Sequence, residues 1–79
     1  MSKLPPQHIE AEESVLGALM IDKNAIIRVA DQLRDGDFYK PVHNMLYRAI
    51  LGLYEKSQPI DILTVTNALK EAGQLETVG

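Results

Sequence analysis

Residues 41–56 read Pro41-Val42-His43-Asn44-Met45-Leu46-Tyr47-Arg48-Ala49-Ile50-Leu51-Gly52-Leu53-Tyr54-Glu55-Lys56, and this stretch decides the fold. Pro41 suits the first position of a helix, because its fixed φ is already helical and its missing N–H is not needed there. Val42, Met45, Leu46, Ala49, Ile50 and Leu53 then recur at three- and four-residue spacing, which predicts a core stripe. Tyr47, Leu51 and Tyr54 widen the apolar sector to roughly 240° of the helix circumference. Asn44, Arg48, Glu55 and Lys56 keep the remainder polar. A helix this apolar is either the central helix of its domain or one with a face reserved for a partner. Tyrosine suits the second role, since its body is apolar and its tip polar.

Helical patterns extend on both sides. From Ile9 to Met20, residues Ala11, Val15, Leu16, Ala18, Leu19 and Met20 share one broad side, and Glu10, Glu13, Ser14 and Gly17 fill the other. Glu10, Glu12 and Glu13 sit where the positive end of the helix dipole favours carboxylates. Glu12 falls between Leu16 and Leu19 on the wheel. That placement predicts bonding to local backbone donors or a neighbouring basic group; a catalytic carboxylate would need a partner acid or a metal. Asp22 is the expected N-cap of a second helix over 23–33, with Ile26, Val29, Ala30 and Leu33 inward. Ile27 lies off that face, as a scattered apolar surface residue or as the rim of a contact surface.

Asp35-Gly36-Asp37 reads as a loop. Ser57-Gln58-Pro59 closes the third helix, and Asp61 caps a fourth over 62–72 that buries Ile62, Val65, Ala68, Leu69 and Ala72. Gly73 stands where a left-handed cap is expected, and Leu75 should fold back after it, with no terminating element following. No segment alternates with a two-residue period. The expected architecture is therefore all-α: a small orthogonal bundle of about four helices over residues 9–79, behind an extended arm at 1–8 that contains Pro5-Pro6.

Composition excludes several functions. The chain has 79 residues and no cysteine, so neither a disulfide framework nor a cysteine zinc site can form. A net charge of -3 argues against a free-standing nucleic-acid binder. Residues 1–37 hold four basic and seven acidic groups, and residues 38–79 four of each, so the bias belongs to the first half. Apolar runs are far shorter than the roughly 20 residues of a membrane span, and no apolar core follows Lys3 as a signal peptide requires. The five glycines are scattered, so no phosphate-binding loop exists and no cofactor is expected in this chain. His8 and His43 lack metal-ligand spacing, and His43 is expected on the surface or as a cap in the first turn of the third helix. Ser14 and His43 with an aspartate would be a chance-level triad. A small hydrolase is thus disfavoured, and a binding or assembly role remains, with single-stranded nucleic-acid binding as the alternative.

Leu4-Pro5-Pro6-Gln7, Ile9-Glu10-Ala11-Glu12 and Ser14-Val15-Leu16-Gly17 resemble the opening of DnaB-type bacterial replicative DNA helicases. The similarity continues through Asp37-Phe38-Tyr39, Pro41, His43, Pro59-Ile60-Asp61, Gly73-Gln74-Leu75 and Val78-Gly79. Each piece is weak alone; their order across nearly the whole chain makes the resemblance specific. It implies an all-α N-terminal domain that is not itself an enzyme, kept from its natural start at Met1 and incomplete at its C-terminal end. ATP and Mg would then belong to an ATP-dependent motor domain beyond this chain. The implied partners are other subunits of a homo-hexamer, primase and a helicase loader. DNA would be met mainly through other domains, with no membrane, in the cytoplasm of a bacterium or of a phage's host. The candidate partner-contact residues are Ile27, Tyr47, Leu51 and Tyr54. On the resemblance, the three on the third helix are covered either by further helices or by a partner.

Overall fold

The structure is a computed structural model that describes residues 8–22, 24–34 and 36–78. Five helices follow in order: α1 (Ile9–Ile21), α2 (Ala25–Ala30), α3 (Pro41–Glu55), α4 (Ile62–Glu71) and α5 (Leu75–Val78). No strand occurs among the described residues, as the missing alternation predicts. Of the arm expected at 1–8, residues 1–7 lie outside the described residues, and His8 is the N-cap of α1.

Helix α3 is the centre of the bundle, packing against α1, α2, α4 and α5. That position accounts for most of its wide apolar sector. The core joins Leu16 and Leu19 of α1, Ala25 and Ile26 of α2, Leu33 and Phe38 of the α2–α3 connection, Tyr47, Ile50 and Leu53 of α3, and Val65 and Leu69 of α4. The most buried line of α3 is His43, Tyr47, Ile50 and Leu53, rotated from the stripe the apolar spacing predicts. Val42, Met45, Leu46 and Ala49 flank it, half-buried. Two polar atoms cause the rotation. His43 is drawn inward by a carboxylate on α1, and the Tyr47 hydroxyl finds the carbonyl oxygen of Leu33 at 2.7 Å.

Helix α2 is shorter than its apolar pattern. It starts at Ala25 behind Asn24, and the Asp22 carboxylate accepts the Asn24 N–H at 2.9 Å instead of capping the helix. It ends at Ala30, after which Leu33 is still held by its N–H bond to the Val29 carbonyl. The chain then turns through a reciprocal pair, Arg34 N–H to the Asp37 carboxylate and Asp37 N–H to the Arg34 carbonyl. The Asn44 side chain pins this turn to α3, accepting from Gly36 and Phe38 N–H and donating to the Phe38 carbonyl.

The α4 boundary is the one most completely specified by local chemistry. Asp61 and Thr64 form a reciprocal capping box, each side chain accepting the other's backbone N–H at 2.9 Å. Helices α3 and α4 end alike. The N–H of Gln58 reaches back to Leu53 and that of Gln74 to Leu69, each at 2.9 Å, with Ser57 and Gly73 in the left-handed region between. After Gly73 a short α5 forms, and Leu75 packs against the core. Ile62 departs from expectation. It shares a face with Val65 and Leu69 but is 74% exposed, because the core ends before the first turn of α4. Ala72 is likewise exposed.

Candidate functional site

The four sequence candidates for partner contact do not form one surface. Tyr47 is fully buried, with Phe38 against its ring at 5.2 Å, so it is a core residue and not a contact residue. Burial, and secondarily the negative charge of Asp37, pushes its phenol above the ordinary value. The sequence shows a 240° apolar sector but not which radius points at the bundle axis; Tyr47 lies on that radius. Leu51 is half-buried and packed on the core. Tyr54 and Ile27 remain exposed, 39% and 53%, and the fold brings these two together.

Ile27 and Tyr54 line a groove of about 550 Å³ formed where the C-terminal ends of α1 and α3 meet the start of α2 and the α3–α4 connection. Met20, Ile21, Ile26 and Ile60 supply its other apolar walls, and Ser57, Gln58 and Asp61 its polar edge. Ile21 is 86% exposed. Ile62 and Leu63, the residues after Asp61, also project into solvent. The groove gathers exposed Ile21, Ile27 and Tyr54 into one apolar patch, whereas apolar residues scattered singly over a surface are commonplace. The sequence reading passed over Ile21 and Leu63 and placed Ile62 in the core, whereas all three are exposed. The adjacent run Ile60-Asp61-Ile62-Leu63 was the available signal, since a cap followed by two bulky apolar residues leaves one of them off the core face.

The second feature is polar and closed. Glu12 and His43 are both buried, and His43 Nδ1 lies 2.6 Å from Glu12 Oε1. The same carboxylate accepts the backbone N–H groups of Tyr39 and Lys40 at 2.5 and 3.3 Å. Its donors are therefore 27 to 31 residues away, not local, and His43 is a buried partner, not a surface or capping residue. Burial raises the carboxyl's proton affinity. The His43 bond, the two backbone bonds and the His43 charge outweigh it, so the pKa is lowered from 4.5. Lys40 is the N-cap of α3 and makes no side-chain cap; Glu12, from another helix, instead takes the backbone N–H groups of Lys40 and of Tyr39 before it. With both groups sealed from solvent and Ser14 exposed, the pair has no access to a substrate and holds α1 to the start of α3.

Among the described residues, no three His, Asp or Glu side chains gather in a way that could hold a metal ion. No helix among them is long and apolar enough to cross a membrane.

A family model described as the DnaB-like helicase N-terminal domain matches residues 4–79. The chain is 47% identical over 75 residues to the replicative DNA helicase DnaB of Mycobacterium leprae, covering 95% of this chain and 12% of that protein. It is 42% identical over 77 residues to the replicative DNA helicase DnaC of Bacillus subtilis, covering 98% and 17%. The crystal structure of the N-terminal domain of DnaB helicase from Mycobacterium tuberculosis superposes with a TM-score of 0.91 at 46% identity, covering 96% of this chain and 53% of that one. The chain thus spans less than a fifth of the length of these two helicase relatives.

Proposed function

The chain belongs to the DnaB-like helicase N-terminal domain family, and on that footing we propose that it is a non-catalytic assembly and docking module of a replicative DNA helicase. Its role is to support formation of the helicase hexamer and to offer primase a docking surface during DNA replication. The observation that carries this reading is the groove that Ile27 and Tyr54, separated by 27 positions, both line and in which both are exposed. Apolar anchors there exclude water, and Ser57, Gln58 and Asp61 at the edge fix orientation. Holding primase beside the moving helicase raises its local concentration at the fork. A helicase loader is a further partner of the same assembly, located with it in the bacterial cytoplasm. ATP and Mg²⁺ would be bound outside this chain, which offers neither a glycine-rich phosphate loop nor a cluster of metal-ligating side chains among its described residues.

Sedimentation equilibrium of the chain, alone and with the helicase-binding domain of a primase, tests the proposal. Self-association or a defined complex is expected, weakened at least tenfold by Ile27→Asp or Tyr54→Asp without loss of helical circular dichroism. Complexes indifferent to both substitutions would remove the groove from the interface. Fluorescence anisotropy with single-stranded DNA at low salt addresses the alternative. Micromolar binding that collapses as salt rises would replace protein docking with nucleic-acid binding.

A further inference from the structure

We draw no further inference here: the strongest candidate, the apolar groove where the C-terminal ends of α1 and α3 meet beside Ile27 and Tyr54, belongs to the docking surface already described, and nothing in the structure shows what covers it.

Discussion

Glu12 Oε1 lies 2.6 Å from His43 Nδ1, joining the first turn of α1 to the first turn of α3 across 31 residues of chain. The carboxylate takes the backbone N–H groups of Tyr39 and Lys40 as well, so one side chain satisfies three donors at a helix start that has no cap of its own. Glu12→Ala takes the partner from all three, the His43 ring in a buried site and the two N–H groups in partly buried ones. Leaving a buried polar group without its partner costs about 1–3 kcal/mol, a substantial share of the roughly 5–10 kcal/mol that holds a small domain together. Urea denaturation should show that loss, with Glu12→Gln intermediate because its amide oxygen still accepts. A Glu12→Ala loss below about 1 kcal/mol would mean that the clamp contributes little beyond its geometry.

The same carboxylate sets an acid limit. Its folded pKa lies below the unfolded value of 4.5, so between the two values the unfolded chain binds more protons. The stability Glu12 contributes is therefore complete above about pH 5 and is lost as pH falls through the folded value. Thermal midpoints measured from pH 6 to pH 3 should drop for the wild-type chain. The drop should be shallower in Glu12→Gln, which has no proton to gain. Parallel curves for the two would assign the acid sensitivity to other carboxylates.

Tyr47 and Tyr54 make opposite predictions from the same helix. Tyr47→Phe deletes the bond to the Leu33 carbonyl and leaves that oxygen buried, at a cost of about 1–1.5 kcal/mol. Alkaline ultraviolet titration of the wild-type chain should show one phenol ionising above the ordinary value of 10.0, and Tyr47→Phe should abolish that late step. Tyr54→Phe, at the groove, should leave the free energy of unfolding within about 0.5 kcal/mol.

How far the sequence reveals this fold depends on whether the determinant is local. The helix starts at Pro41 and Asp61 and the end at Gly73 were legible, because each is fixed by chemistry within four residues of itself. The bounds of α2 were not. Its apolar spacing runs to Leu33, but the reciprocal Arg34–Asp37 turn and the Asn44 staple pull the chain out of helix after Ala30. Glu12 shows the same limit at the polar core. Its wheel position between Leu16 and Leu19 announced an acid in need of donors, while the identity of those donors depended on which segment the fold laid across α1. The groove was half legible. Ile27 and Tyr54 stood out as apolar residues beyond the core stripe, but their proximity comes from tertiary packing.

The C-terminal end of α3 offers a stabilising change at the edge of that surface. Ser57 adopts φ 57°, in the left-handed region that glycine occupies more cheaply, whereas the matching position after α4 is already glycine at φ 72°. Ser57→Gly should therefore stabilise the chain by up to about 1 kcal/mol, and Gly73→Ala should destabilise it by a similar amount. The pair is a control for one another, since both sites end a helix with the same hydrogen-bond pattern. Ser57 also lines the groove, so its substitution separates conformation from contact. If the groove docks a partner through its apolar walls, Ser57→Gly should raise the unfolding midpoint while leaving partner affinity within a factor of about two. Affinity lost in step with the missing hydroxyl would instead make Ser57 a direct contact. No gain in midpoint would mean that the strain at φ 57° is already relieved by its surroundings.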